Sequence, residues 1–295
     1  MLHELPPPTA PGPLLAWLLG ALHPTNRTRV KQFLRNGQVR VNGTPVTRHD
    51  HPLRPGDRVA VAREGTASRT ARTDLVAVVY TDDAVVVIDK PAGLLTVATN
   101  EEKLDTAFAR LSAHLDDRKS GRPFVVHRLD RDTSGLLLFA RSPEGRDQLQ
   151  AGWETVTKTY LAVVEGVPRP AEGVIDTHLI EGKNLRVRHT APGGDGKRAV
   201  TRYRVVATRG AFSLVEVGLE TGRKHQIRVH LAGRGCPVVG DRDYRATTDP
   251  AGRLGLHAWR LAFDHPVSGE RIELESPLPH ELRLVVGASA TGQNP

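Results

Sequence analysis

The sequence of 295 residues is poor in several features that particular functions require. It has one cysteine, Cys236, so an internal disulfide and a multi-cysteine zinc or iron–sulfur site are both excluded. The longest apolar run near the N-terminus covers only 14–22, and no basic region precedes it, which argues against a membrane span and a secretory signal. We therefore expect a cytoplasmic protein that makes no membrane contact.

Acidic side chains are in the minority. The 41 Lys and Arg residues outnumber the 33 Asp and Glu residues, and the resulting net charge of +8 makes polyanions the first class of partner to consider. Three quarters of that charge lies between Pro24 and Gly65, which hold nine Lys or Arg against three Asp or Glu. A charge run alone is typical of a solvated surface, so the local pattern has to decide between that reading and a binding surface.

Composition divides the chain into four parts. Residues 1–13 are rich in proline and predict a flexible leader, and the small polar residues 65–74 predict a linker. Between them, residues 14–64 are expected to form a small basic module that begins with a short helix. The remainder, 75–295, is expected to form one larger domain.

The basic module has the pattern of a helix followed by a hairpin. Residues 27–36 predict a helix capped by Thr25 or Asn26, with apolar side chains on one face and cations on the other. Asn42-Gly43 within an alternating segment is a strong hairpin signal. The cations of this helix that we expect to contact RNA phosphates are Arg27, Arg29, Lys31 and Arg35.

This arrangement, R-T-R-V-K-x-x-L-R-x-G-x-V-x-V-N-G with a later P-G-D-x-V, resembles the S4-like RNA-binding domain. Such domains occur on several kinds of RNA-binding protein. The resemblance therefore implies an RNA ligand and, by itself, no chemistry.

The larger part of the chain is expected to be an α+β domain. Six apolar runs have strand length and β-branched content: 75–80, 84–89, 135–140, 160–166, 199–207 and 212–220. Three segments predict helices: 104–115, 143–153 and 222–235. Because the strands outnumber the helices and do not alternate with them, the pattern favours a mixed, mostly antiparallel sheet over a doubly wound parallel one.

Three polar strings could carry chemistry. The string FVVHRLDRDTSGLLLFAR at 124–141 places a charged loop between two apolar strands, while KTYLAVVEG at 158–166 places Lys158 and Tyr160 on one face of a strand. The string at 219–244 predicts a basic helix that includes His225 and Arg228.

The residues alone are also compatible with purely structural roles for these strings. The first string could be a charged turn in which its aspartates cap backbone amides, and Tyr160 could be an ordinary half-buried aromatic side chain. The sequence contains no G-x-S-x-G turn, which argues against an Asp-Ser-His hydrolase. His225 and His230 are five residues apart and do not share a helical face as a zinc pair would, so we expect no metal site.

Taken together, HRLDRDTSGLLL, K-T-Y and TGRKHQIRVHL, in that order, closely resemble the RluA-type family of RNA pseudouridine synthases. Further matches are DKPAGLL, GDRDY and LHAWRLAFDHP, and the resemblance covers 75–278. It implies a catalytic domain with an active cleft across the middle of a mixed sheet. It also implies isomerisation of uridine to pseudouridine in structured RNA, with ribosomal RNA expected and transfer RNA as the alternative.

The resemblance also implies roles for individual residues. Asp130 matches the catalytic aspartate, which can act as nucleophile on the sugar or the base, or as the base that removes the 2′ proton of the sugar. Arg228 matches the residue expected to pair with Asp130. Tyr160 matches the tyrosine that lies against the uracil and helps to remove the proton at carbon 5, and Ile227 would pack on the other side of the base.

Two residues are expected to act on the RNA around the target uridine. Arg128 matches the side chain that fills the stack when the uridine is flipped out, and His127 is expected to order the same loop. The reaction is an isomerisation and needs no cofactor. We expect a monomer without an obligate protein partner; the rival interpretations are a non-catalytic RNA-binding or ribosome-assembly protein and a nucleoside hydrolase using Asp130.

Overall fold

The computed structural model describes residues 2–35, 37–62, 76–99, 105–117, 121–182, 186–191 and 194–287. The predicted linker 65–74 lies outside these residues. The chain divides into two compact units, which are described separately: unit 1 is Met1–Leu75 with Val97–Ala109, and unit 2 is Val76–Thr96 with Arg110–Pro295.

Unit 1 combines two helices with short strands. Its elements are β1 (Leu2–Glu4), β2 (Gly12–Pro13), α1 (Leu14–Ala21), α2 (Arg27–Arg35), β3 (Val39–Val41), β4 (Thr44–Pro45), β5 (Pro52–Leu53) and β6 (Val59–Ala62). The strands form an antiparallel sheet of order β1-β6-β3-β4 and a separate β2-β5 pair. Apolar side chains of both helices and of β3 and β6 form one buried core.

The helix and the hairpin predicted for this unit are confirmed. Asn26 caps α2, since its Oδ1 accepts the Arg29 N–H at 2.8 Å. Gly37, just beyond the helix, has a φ of 62°. Asn42 and Gly43 join β3 to β4 with φ values of 52° and 84°, the left-handed pair that a two-residue hairpin turn needs.

The prediction of a flexible leader over 1–13 is wrong. β1 pairs with β6, β2 pairs with β5, and Leu5 is 8% exposed within the core. Proline lacks an N–H but keeps its carbonyl, and Pro8 accepts a hydrogen bond from Gly56 N–H at 3.1 Å. One buried leucine and a few backbone bonds therefore fix a segment that its proline content made look unstructured.

Unit 2 holds the large sheet. Its strands are β7 (Ala77–Thr81), β8 (Val85–Lys90), β9 (Phe124–Val125), β10 (Ser134–Ala140), β11 (Thr157–Glu165), β12 (Glu172–Glu181), β13 (Val187–Thr190), β14 (Lys197–Arg209), β15 (Phe212–Leu219), β16 (Leu256–Asp264) and β17 (Arg271–Glu275). The remaining helices are α3 (Ala107–Asp117), which contains residues of both units, α4 (Pro143–Ala151), α5 (Gln226–Gly233) and α6 (His280–Val286).

The sheet is mixed and mostly antiparallel, as predicted. Within the described residues its main order is β13-β12-β14-β15-β11-β16-β10-β8-β7, with β9 paired to β10 and β17 to β16. The β10–β16 pairing is parallel and the other pairings are antiparallel. All six predicted strands are present, whereas β12 and β16 were not predicted as strands.

Strand β10 is the third strand from the β7 edge in the main order of the sheet, and it is buried along its whole length. Gly135, its second residue, has a φ of 109°, and a Cβ at this position would lie 2.2 Å from the carbonyl oxygen of Ala258 on β16. The glycine of the T-S-G sequence is thus required by the close approach of two backbones. The end of the charged loop that precedes β10 is thereby held against β16.

The helix predicted over 222–235 begins only at Gln226. His225 precedes it in the left-handed conformation, with a φ of 53°, so the prediction that His225 lies in the helix is wrong. None of the helices in the described ranges is long and apolar enough to cross a membrane.

Candidate active site

Asp130 lies in the loop between β9 and β10, with its side chain 31% exposed. The Thr133 N–H donates to the Asp130 carbonyl at 3.2 Å, which closes a turn around the residue. Two side chains approach the same carboxylate oxygen, Oδ2: Arg228 Nη1 at 3.8 Å and His225 Nε2 at 3.9 Å. The Asp130 carboxylate therefore faces one fixed cation and one imidazole.

A buried lysine and a buried threonine hold this loop in place. Lys90, at the end of β8, is 0% exposed, and its Nζ donates to the carbonyls of Pro91, Leu94 and Arg131 at 2.9, 2.7 and 2.9 Å. Burial lowers the pKa of Lys90 to about 7. Thr96 Oγ1 donates to the Leu129 carbonyl at 2.8 Å and accepts the N–H of the same residue at 3.1 Å. The D-K-P-A-G sequence thus supports the loop that carries Asp130.

His127 also holds the loop from within. Its Nε2 accepts the Leu138 N–H from β10 at 3.0 Å, and its ring lies 4.6 Å from that of Trp153. Burial, reinforced by the charge of Lys158, lowers the pKa of His127 to about 3. The ring is therefore neutral, and its Nε2 is occupied by a hydrogen bond within the protein.

The far end of the loop is anchored by a serine and a histidine. Ser134 Oγ lies 2.8 Å from His257 Nδ1 and accepts a hydrogen bond from Arg253 Nη2 at 2.6 Å. His257 Nε2 in turn donates to the Ser276 carbonyl at 3.0 Å. Although a Ser–His pair is part of a hydrolase site, Ser134 is only 3% exposed, and its oxygen is engaged from two sides. This pair has a structural role.

Arg228, in the first turn of α5, is fixed chiefly by a residue that the sequence did not single out. Its Nε and Nη2 donate to the two carboxylate oxygens of Asp241 at 2.7 and 2.8 Å, and Nη2 also donates to Asp243 at 3.2 Å. Asp241 is 2% exposed. Burial acts to lower the pKa of Arg228, but the hydrogen bonds and charge of Asp241 outweigh it and raise that pKa. The predicted partner, Asp130, is at ion-pair distance only.

Tyr160, on β11, and Ile227, on α5, complete the wall around Asp130. A pocket of about 90 Å³ is lined by Asp130, Tyr160, His225, Ile227 and Arg228, among others. Burial first, and the charge of Asp130 second, raise the pKa of Tyr160, so its phenol is protonated near neutral pH.

The predicted RNA-contacting cations lie on exposed surfaces. Arg27, Arg29 and Lys31 are exposed on α2, while Val30 and Leu34 on the opposite face are buried. The side chain of Arg35 lies outside the described part of the chain. In unit 2, Arg128 is exposed in the same loop as Asp130.

Residues 84–233 match the family model for RNA pseudouridylate synthases, and residues 19–59 match the model for the S4 domain. An uncharacterized RNA pseudouridine synthase of Bacillus subtilis is 40% identical, over 88% of this chain and 88% of its own. The chain belongs to the RluA-type family of RNA pseudouridine synthases.

The further comparisons agree with the isomerase fold. A ribosomal large subunit pseudouridine synthase D of Neisseria meningitidis is 33% identical to this synthase, over 97% of this chain and 82% of its own. The solved structure of human RNA pseudouridylate synthase domain containing 4 superposes with a TM-score of 0.58 at 27% identity, over 70% of this chain and 93% of that one. The protein is thus an RNA-modifying isomerase with an S4 RNA-binding domain.

In this pseudouridine synthase, the structure brings together the residues predicted to act on the base. Asp130, Tyr160, Ile227 and Arg228 come from three separate parts of the chain and line one pocket. Sequence reasoning missed Asp241 and Lys90, although both lie in quoted matches to the family, G-D-R-D-Y and D-K-P-A-G-L-L. The feature that marks Asp241 and Lys90 as important is the burial of a charged side chain next to the site. Burial can be seen only in the folded chain.

Proposed function

We propose that the pocket beside Asp130 binds a uridine flipped out of structured ribosomal RNA, and that Asp130, Tyr160 and Arg228 carry its isomerisation to pseudouridine. The observation that supports this most strongly is the convergence of these three side chains, from a loop, a strand and a helix, on one small pocket. The ribosomal target is supported by the relative named as a ribosomal large subunit enzyme.

The reaction breaks the glycosidic bond at ring nitrogen 1 and forms a bond to carbon 5. Asp130 supplies the carboxylate next to the sugar, and Arg228 supplies a cation whose position is fixed by Asp241. Because burial and Asp130 keep the phenol of Tyr160 protonated, Tyr160 acts as a neutral group. If it takes the proton from carbon 5, it must release its own proton in the same step, and overall the proton lost from carbon 5 is balanced by one gained at nitrogen 1.

Two further groups would bind the RNA around the target. Arg128, which is exposed, would stack in the position that the flipped uridine leaves. Flipping the uridine costs roughly a few kcal/mol of unstacking. The module at 14–64 would hold RNA phosphates through Arg27, Arg29, Lys31 and Arg35, and 75–295 would form the catalytic domain. We further propose that the enzyme acts as a monomer in the cytoplasm.

The decisive experiment maps pseudouridine in cellular RNA with and without this protein and repeats the reaction with purified components. We expect one or a few uridines of ribosomal RNA to lose modification, and the purified protein to restore it. Loss confined to transfer RNA would correct the substrate. No lost site in either RNA would favour a protein that binds RNA without modifying it.

A further inference from the structure

His225 faces the Asp130 carboxylate. Its side chain is 15% exposed, and its Nε2 lies 3.9 Å from Asp130 Oδ2. Its Nδ1 lies 2.9 Å from the hydroxyl of Tyr244, and the two rings meet edge to face with centroids 5.6 Å apart. The imidazole therefore connects a tyrosine on one side with the carboxylate on the other.

The hydrogen-bond partners select one tautomer of His225. The Tyr244 hydroxyl oxygen accepts the Val187 N–H at 3.0 Å, which leaves the hydroxyl proton free to be donated to His225 Nδ1. The ring proton of a neutral His225 is then on Nε2. The other tautomer would place the bare lone pair of Nε2 against the lone pairs of a carboxylate oxygen, which is repulsive.

Burial is the main reason that the His225 ring stays neutral. Burial lowers the pKa of His225, and the cations Arg228 and Lys224 lower it further, while Asp130 and Asp241 oppose them without reversing the shift. Burial likewise raises the pKa of Tyr244. The Tyr244 hydroxyl therefore stays protonated and can donate a hydrogen bond to His225.

The backbone also holds His225 in an unusual state. With a φ of 53°, it is one of three residues other than glycine at positive φ among the described residues. An L residue in this region is strained, and such strain persists where the surrounding structure holds it. The conformation aims the ring at the pocket immediately before α5 begins.

We propose that His225 and Tyr244 are positioning residues for the isomerisation. The Tyr244 hydroxyl sets the tautomer of His225, and the His225 Nε2–H, together with Arg228, directs Oδ2 of Asp130 so that Oδ1 is presented to the uridine. This inference rests on the proposed role of Asp130 as the reacting carboxylate.

The tautomer can be measured without any assay of activity. NMR of the imidazole nitrogens of the full-length protein should show His225 with its proton on Nε2 near neutral pH, assigned by the loss of its signal in His225→Gln. In Tyr244→Phe we expect a mixture of tautomers, because the phenylalanine ring is retained and only the hydroxyl is lost. Tyr80→Phe, which removes a hydroxyl bonded to Asp82 elsewhere in unit 2, is the matched control and should leave the His225 signal unchanged.

Kinetics then separate positioning from packing. We expect Tyr244→Phe to lower kcat about 10-fold with little change in KM, and His225→Leu to lower it about 100-fold, because leucine presents no N–H dipole to Oδ2 of Asp130. His225→Gln, which restores an N–H donor, should recover part of that loss. Equal losses in the Gln and Leu variants, or a wild-type His225 with its proton on Nδ1, would overturn the inference.

The two proposals fail differently. A wild-type protein that forms no pseudouridine in any RNA would overturn the proposed function, and with it the kinetic role of His225. The tautomer and its dependence on Tyr244 would still be decided by NMR.

Discussion

Helices α2 and α5 both carry cations, but they use them in opposite ways. Arg27 and Lys31 on α2 are exposed, whereas the Arg228 side chain on α5 is 9% exposed and donates two hydrogen bonds to Asp241. An exposed cation is available to a phosphate anywhere within its reach. A buried cation that two bonds hold in place can serve only one geometry, so α2 suits binding and α5 suits chemistry.

The energetic consequences differ in the same way. An exposed cation can be removed at a cost of about 0.5 kcal/mol or less in folding free energy, because water already solvates it. Removal of one partner from a buried pair leaves an uncompensated charge in the interior, which costs about 3–5 kcal/mol. Substitutions in the two regions should therefore separate binding, turnover and stability.

The largest effect is expected for Asp130→Asn, which preserves the shape of the side chain and removes its charge. Isomerisation should fall below detection, by at least about 1,000-fold, because no other described carboxylate faces the pocket at this position. RNA affinity and the melting temperature should stay near wild type. Asp132→Asn, the neighbouring and 47% exposed aspartate, is the matched control and should retain most activity. Measurable pseudouridine formation by Asp130→Asn would remove Asp130 from its proposed role.

The next largest effect is expected for Asp241→Asn, which leaves Arg228 without its buried counter-charge. We expect the free energy of unfolding to fall by about 3–5 kcal/mol and turnover to fall with it. Asp243→Asn tests the same arginine from an exposed position, at 51% side-chain exposure, and should cost under about 1 kcal/mol. Urea titration of the full chain measures both. Equal losses would mean that burial does not distinguish the two aspartates.

Local patterns predicted most of the fold because the information they need is local. The apolar runs at β8 and β10 are buried along nearly their whole length, so composition alone marks them as strands. Asn42-Gly43 and Asn26 specify a turn and a cap within a few residues. β12 has charged and polar residues along both faces, and β1 depends on pairing with β6 at the other end of the unit, so neither was visible in a short window.

The site was predictable as a set of motifs and not as a set of contacts. Asp130, Tyr160 and Arg228 were named through the family resemblance. The bidentate bond of Arg228 to Asp241, the three carbonyl bonds of Lys90 and the left-handed backbone of His225 depend on how separate segments meet. Such pairings depend on the path of the folded chain, which a single sequence does not show.

A smaller effect is expected from pH, and it should arise at the half-buried His127. Its pKa is about 3 in the folded chain and about 6.5 when unfolded, so only the unfolded state gains this proton between those values. Stability should be highest above pH 6.5 and fall as the pH drops toward 3, with a slope from this group of at most about 1.4 kcal/mol per pH unit. Urea midpoints at several pH values measure it. His127→Gln should flatten the slope. His49→Gln, at an exposed position of unit 1, is the control and should not flatten it. Identical slopes in the wild type and both variants would contradict the assignment of the slope to His127.

The smallest effect on stability, and a clear effect on binding, is expected from Arg27→Gln with Lys31→Gln on α2. Both side chains are exposed, so the free energy of unfolding should change by about 0.5 kcal/mol or less. If each cation neutralises one RNA phosphate, the slope of log affinity against log salt should become shallower by about 0.7 to 0.9 per contact, or about 1.4 to 1.8 in total.

Arg48→Gln is the control, because its guanidinium is already paired with Asp50 at 3.0 Å, and it should leave the salt slope unchanged. Turnover at saturating RNA should be the same in all of these proteins, since none of the changed side chains lines the pocket. An unchanged salt slope in the double variant would make α2 a solvated surface and would move the phosphate contacts to other cations of the chain.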